Sequence, residues 1–229
     1  MIVVYFEAAF FKNEFKIMVT KEQIDRFVAE ANRVGGEGLM LCSSGNLSWR
    51  VEDDIALVSG TGSWLCRLEE ENVAVSRISD GSSIQGPKAS IESTFHLGVM
   101  RNRKDVNVVL HFQSEYATVV SCMKEKPTNF SVTAEVPIYA GKEIPVIPYF
   151  RPGSKELAAA VTEALLHHDC AIMSKHGQVV CGKDFDDAFQ KAVFFEMACR
   201  IVVLAGKGNY LTLTEGEIDD LDKYILGKK

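Results

Sequence analysis

An α/β layered domain, three layers deep with a largely antiparallel central sheet flanked by helices, is the fold class that three observations predict. Short β-rich runs bounded by turn residues alternate with helical segments that open on recognisable caps. Two of those runs, Cys170 to Ser174 and Gln178 to Cys181, are joined through Lys175-His176-Gly177 alone, a hairpin-like connection. The 229 residues contain no Pro/Gly/Ser-rich or charge-dense divide, so they read as one domain over 20–229 behind an N-terminal extension over 1–19.

Taken in order, Thr20 followed by Gln23 has the spacing of a capping box, and Ile24, Phe27, Val28 and Ala31 then fall on one face of a helix reaching about Val34. After Gly35-Gly36 come expected strands around Leu39 to Arg50, Ile55 to Ser59 and Val73 to Ile78, separated by turn-rich Glu52-Asp53-Asp54 and Asp80-Gly81-Ser82-Ser83. Ser90 is placed to cap a helix through about Arg101, and Val106 to Phe112 is too short and too branched for another helix, so it reads as a buried strand. A helix is expected from Ser114, then strands near Phe130 to Val136 and Ile144 to Tyr149. Ser154 caps a helix with Leu157, Val161 and Leu165 on one side. Beyond the hairpin, Asp184 caps a long helix toward Ala205, and Thr214 with Glu217 caps the last.

With 47% hydrophobic and 24% charged residues the chain is of ordinary globular composition, which argues against disorder. A net charge of -6 without any Lys/Arg cluster excludes a broad nucleic-acid or anionic-lipid footprint. The six scattered cysteines show no CxxC pair and read as reduced core thiols of a cytoplasmic protein. Met1 to Phe11 is apolar, but it contains Glu7 and lacks a basic start and a cleavage site, so a signal peptide is not expected; Met18, just before a helix start, raises an alternative beginning. Ala188 to Ala205 is interrupted by Gln190, Lys191, Glu196 and Arg200 and is not a membrane span.

The candidates for chemistry begin with His111 and Gln113, which sit two apart on a strand and so project from one face. His176, on a tight turn before a glycine that admits close backbone approach, is the natural third member of a metal site. A histidine at a strand end also serves as an ordinary hydrogen-bonded structural residue, and spacing alone does not separate the two. Glu92 and His96 are four apart on one helical face, where a carboxylate beside a metal could act as general base or equally be a surface residue. Three loops, Ser43-Ser44-Gly45-Asn46, Ser59-Gly60-Thr61-Gly62 and Gly86-Pro87-Lys88-Ala89-Ser90, offer the hydroxyls and backbone N–H groups that suit a phosphate; singly, each is no more than a turn.

Their order adds what each lacks alone. Ser44-Gly45-Asn46-Leu47-Ser48 with Arg50, Ser59-Gly60-Thr61-Gly62, Lys88-Ala89-Ser90-Ile91-Glu92, Phe95-His96, the strand ending at His111 and Lys175-His176-Gly177 together resemble the class II aldolase and adducin family, of the fuculose phosphate type, over roughly Thr20 to Leu226. The resemblance implies a class II aldolase-like fold and a zinc site, or another divalent metal, at His111, Gln113 and His176. Gln113 stands where relatives carry a histidine, and its amide oxygen is a neutral, weaker donor that shifts preference toward a harder ion. Glu115 is a substitute ligand to consider. It further implies Glu92 as the proton-transfer carboxylate, Gly45, Asn46, Thr61, Gly62 and Ser90 as phosphate holders with Ile91 replacing a second serine, Tyr224 as proton donor, and a structural role for His96.

By the same resemblance the expected activity is cleavage of a ketose 1-phosphate, such as L-fuculose 1-phosphate, to dihydroxyacetone phosphate and an aldehyde. The alternatives are a pentulose-phosphate epimerase or sugar-phosphate dehydratase, or a non-catalytic adducin-like binding protein. The expected partner is a small sugar phosphate, and the expected assembly is a homo-oligomer, a tetramer in relatives. The apolar excess of Phe189, Val193, Phe194, Phe195 and Met197 in the long helix fits such an assembly.

Overall fold

Thr20 opens the first helix as its spacing requires: its Oγ1 accepts from the Gln23 backbone, and the Gln23 side chain accepts from the Thr20 N–H. The computed structural model describes residues 19–226, so the readings that fall on 1–18, including the signal-peptide and Met18 questions, lie outside the described residues. Helix α1 (Lys21–Gly36) is followed by strands β1 (Asn46–Glu52), β2 (Ile55–Ser59), β3 (Val73–Arg77) and β4 (Ser83–Gln85), then α2 (Ser93–Asn102), β5 (Val108–Phe112) and α3 (Glu115–Cys122). A short β6 (Val146–Ile147), α4 (Lys155–Ala164), β7 (Cys170–Met173), β8 (Gly177–Gly182), α5 (Phe185–Ala205) and α6 (Glu215–Leu226) complete it.

The strands form one eight-stranded sheet in the order β4-β3-β2-β1-β5-β8-β7-β6. Every pairing is antiparallel except β6 with β7. Both faces are covered, which is why the central strands read as nearly continuous apolar runs rather than as alternating ones. Val108, Leu110 and Phe112 of β5 join Phe27 and Ala31 of α1, Val120 of α3 and Phe195 of α5 in one core. Val109 faces the other way, toward Phe95 and Met100 of α2 and Leu157 and Val161 of α4. No helix among the described residues is long and apolar enough to cross a membrane.

Four local expectations need correction. The helix after Ser90 starts three residues later, at Ser93, and the Ser90 hydroxyl instead takes the Glu92 N–H. Phe130 to Val136 is not a strand: Phe130 packs edge-on to Phe195, and a π-helical turn at Val136–Ala140 follows, so its β-forming residues are buried against helix α5 with no strand beside them. The strand expected over 144–149 shrinks to Val146–Ile147, because Pro145 and Pro148 on either side have no N–H to donate to a ladder. Three of the six thiols, Cys42, Cys66 and Cys122, are exposed, while Cys170, Cys181 and Cys199 are buried as expected.

The apolar excess on α5 is partly consumed within the chain. Phe195 is fully buried, Phe194 stacks on Tyr139, and Phe189 lies under the Arg33 guanidinium. At the far end of the sheet, Lys191 of α5 reaches Asp169 and Asp187 at 2.8 Å each, and Arg103 donates to Asp169 at 2.6 Å. Although partial burial works against its charge, these two cations hold Asp169 below the ordinary aspartate range. A depressed carboxylate stabilises the fold above its unfolded pKa and loses that contribution as pH falls through the lowered folded value. Lys191→Ala removes a cation shared by two partly exposed carboxylates, of which Asp169 keeps Arg103, and a loss of about 1–2 kcal/mol is expected in chemical denaturation at pH 7.

Candidate metal and phosphate site

The sheet register builds the site. Asn46, at the start of β1, is paired directly with His111 near the end of β5, and His111 is paired on its other side with Val179 of β8. The β7–β8 turn carries His176 back over the same strand ends, so that the rings of His111 and His176 meet edge to face with centroids 4.8 Å apart. Lys175 in this turn has a left-handed φ of 57°. Gly177 is obligatory for a different reason: a Cβ there would lie 2.6 Å from the Phe112 carbonyl oxygen, 2.7 Å from Gln113 Cγ and 2.9 Å from His111 Cε1.

Glu92 enters from the other side as the residue capping α2, and its carboxylate turns away from the helix into the cavity. It is 5% exposed. Oε2 lies 3.4 Å from His111 Nε2 and Oε1 lies 3.4 Å from His176 Nε2. Among the described residues Oε1 has no hydrogen-bond partner, and neither has the buried Nδ1 of His176. His111 Nδ1 is 2.8 Å from the Gln178 carbonyl oxygen; a carbonyl only accepts, so Nδ1 carries a proton and Nε2 is the ring nitrogen turned to the Glu92 carboxylate. Burial and the neighbouring His111 pull the His176 pKa down to about 4, against the opposing pull of Glu92, so that ring is neutral at pH 7.

A buried carboxylate faced by two imidazole ring nitrogens, with polar atoms around it left unpartnered among the described residues, is a setting that a bound cation would satisfy. The donor atoms of Glu92, His111 and His176 lie within 4.8 Å of one another, and Gln113 lines the same cavity. Two imidazoles with a carboxylate and an amide oxygen form a donor set of the kind that zinc and its neighbours take. The hydrogen bond behind His111, from Nδ1 to a backbone carbonyl, is the arrangement that fixes the tautomer of a ligating histidine. Glu115 does not join this set: it is the exposed first residue of α3 and does not line the cavity.

Beside this cluster lie the three loops. Gly60 bridges to Ala89, the Thr61 N–H donates to the Lys88 carbonyl and the Ser90 N–H to the Ser59 carbonyl, which zips the two segments together. Gly45, Asn46, Thr61, Gly62, Ser90 and Ile91 thus line a cavity of about 190 Å³ together with Glu92, His111, Gln113 and His176. Of the residues singled out from sequence for metal, phosphate or proton transfer, the fold gathers all but Glu115 and Tyr224, the latter 62% exposed on α6 and not lining this cavity. Ser43, Ser44 and Pro152 line it in addition. The two serines belong to a loop that was already legible as a phosphate cradle, whereas nothing in the local sequence marks Pro152.

His96 stays outside the cavity, fully buried beneath it between Ser48 and Asn46. Desolvation, reinforced by His111, lowers its pKa to about 3, so the ring is neutral.

Comparison with known proteins gives the family of the chain. The family model for the class II aldolase and adducin N-terminal domain matches residues 25–203. A 3-oxo-tetronate 4-phosphate decarboxylase of Haemophilus influenzae is 31% identical over 187 residues, which is 81% of this chain and 89% of that one. An L-fuculose phosphate aldolase of Methanococcus maripaludis is 34% identical over 154 residues, 67% of this chain and 81% of that one. The crystal structure of YgbL from Escherichia coli superposes with a TM-score of 0.81 at 28% identity, covering 87% of this chain and 97% of that one. An L-fuculose 1-phosphate aldolase shares the fold at a TM-score of 0.82 and 23% identity, covering 91% and 98%. With the matched segment running from within α1 to most of α5, and with the cavity residues inside it, the chain belongs to the class II aldolase and adducin family.

Proposed function

We propose that this protein is a divalent-metal-dependent carbon–carbon lyase acting on a small phosphorylated sugar or sugar acid in the cytoplasm. The observation that carries this reading is the convergence of one buried carboxylate, two imidazole rings and the hydroxyl- and glycine-bearing loops on a single cavity. His111, Gln113 and His176 would hold the ion, with Glu92 beside it. Zinc or another divalent ion in that position would supply Lewis-acid polarisation of the substrate's adjacent oxygens. Thr61 and Ser90, with the backbone of Gly45 and Gly62, would hold the phosphate, and Glu92 would deliver a proton to the carbon from which a bond has broken.

Two reactions need these parts. Loss of CO2 from a 3-oxo-tetronate 4-phosphate leaves the enediolate of dihydroxyacetone phosphate, which requires one proton at carbon. Cleavage of a ketose 1-phosphate between C3 and C4 leaves the same enediolate but also requires a base for the hydroxyl proton of the departing aldehyde. Among the described residues the cavity offers one carboxylate for proton transfer, and Tyr224 does not line it. Decarboxylation is therefore the reading that the chain by itself supports better. The retro-aldol reading stands second, supported by the fuculose phosphate aldolases at 31–34% identity; it calls for a further proton-transfer group, such as one brought by another copy in a homo-oligomer.

The test is release of dihydroxyacetone phosphate from each substrate, with metal content measured on the same sample. Release from 3-oxo-tetronate 4-phosphate with CO2 supports the first reading, and release from L-fuculose 1-phosphate supports the second. A metal-loaded protein that releases it from neither refutes both. Ile91, 52% exposed, lines the cavity wall, and on this reading it stands where the family's second serine would meet the phosphate. Ile91→Ser is expected to lower KM for the processed substrate by about 3- to 10-fold, as one added hydrogen bond to a dianion in a partly solvated site should.

A further inference from the structure

A one-way chain of hydrogen bonds runs beneath the cavity to Glu92. Ser48 Oγ is 2.8 Å from His96 Nδ1, His96 Nε2 is 2.5 Å from Asn46 Oδ1, and Asn46 Nδ2 is 3.0 Å from Glu92 Oε2. The polarity is fixed by chemistry. An amide oxygen only accepts, so His96 Nε2 carries the proton, Nδ1 accepts from the Ser48 hydroxyl, and the Asn46 NH2 is the end turned to the carboxylate. Ser48 and His96 are 0% exposed, Glu92 5% and Asn46 8%, so water does not compete for these bonds. Asn46 and Ser48 alternate on β1 and therefore share a face, while His96 comes from the first turns of α2, one helical turn after Glu92.

Without a donor on its oxygen, the Asn46 amide could rotate and present Oδ1 to the carboxylate, a repulsive pairing of two acceptors. With the donor in place, Oε2 is held and Oε1 is the oxygen left without a partner. The Asn46 side chain is thereby engaged at both ends, leaving one amide hydrogen for a phosphate.

We infer that His96 and Ser48 are positioning residues for proton transfer at Glu92: they lock the Asn46 amide so that it holds one carboxylate oxygen and leaves the other to exchange protons with the substrate. This rests on Glu92 being the proton-transfer group of the proposed lyase. His96→Phe removes both ring contacts at similar volume, His96→Gln restores an N–H that can reach Asn46 Oδ1, and Ser48→Ala loosens only the tautomer.

The expected result is a kcat about 10- to 100-fold lower for His96→Phe, with KM within about threefold of wild type and metal content unchanged. His96→Gln should recover most of the loss, and Ser48→Ala should fall between. Independently of turnover, 15N spectra of histidine-labelled protein should show one ring fixed as the Nε2–H tautomer, a signal absent from His96→Phe. Should His96→Phe fail to fold, Ser48→Ala and the spectra carry the test. Full kcat in His96→Phe beside an inactive Glu92→Gln would overturn the positioning role and leave the lyase reading standing. An active Glu92→Gln would remove Glu92 from the chemistry and sink this inference, while metal-loaded wild type that releases dihydroxyacetone phosphate from neither substrate would sink the lyase reading itself. A raised KM at unchanged kcat, loss of metal, or an Nδ1–H ring signal that disappears in His96→Phe would each overturn the positioning role alone.

Discussion

Glu92→Gln is expected to lower kcat by about 10²–10⁴-fold on whichever substrate is processed, the range associated with losing a general acid–base group. The substitution keeps shape and an oxygen for Asn46 Nδ2 to bind, but an amide has no proton to give to carbon at neutral pH. Because Oε1 already lacks a partner, no stabilising contact is lost there, and denaturation midpoints should move little. The measurement is steady-state kinetics with metal content determined in parallel. A variant that holds its metal and yet turns over within about threefold of wild type would remove Glu92 from the chemistry.

His111→Ala is the second large effect. His111 is 1% exposed, and its Nδ1–H is anchored on the Gln178 carbonyl, so Nε2 is held in the ligating tautomer before any ion arrives. Removing a group that hydrogen-bonds a ligand typically costs 10- to 100-fold in affinity, and removing the ligand itself should cost roughly 100-fold or more. Metal analysis after dialysis should show an ion in wild type and none in the variant, and the thermal stabilisation conferred by added ion should vanish with it. Gln113→His should move affinity the other way, since an imidazole replaces a neutral amide oxygen. A metal stoichiometry unchanged in His111→Ala would mean that the ion, where one binds, sits elsewhere.

The legible parts of this protein are those in which the signal is local. Thr20, Ser154 and Asp184 cap helices because a side-chain oxygen three residues before a free N–H is a matter of sequence spacing alone. The hairpin through Lys175-His176-Gly177 was legible for the same reason. Ser90 misled because an oxygen that suits a helix cap also suits a turn, and the hydroxyl served Glu92 two residues on. Phe130 to Val136 misled because β-branched residues fit any half-buried surface, including the side of a helix.

From sequence alone came the layered α/β class, the ordered set of motifs that marked the family resemblance, and the residue types capable of holding a metal and a phosphate. Only the tertiary structure decided that these residues meet. Asn46 and His111 are neighbours through strand register, and Glu92 comes to face His176 because α2 packs on β5 and β1, across from the β7–β8 turn that carries His176. Tyr224 and Glu115 fall outside the cavity and His96 beneath it, although all three were as prominent in sequence as their neighbours. Register, packing face and hydrogen-bond polarity arise between segments far apart in the chain, so no local pattern encodes which lone pair ends up facing which.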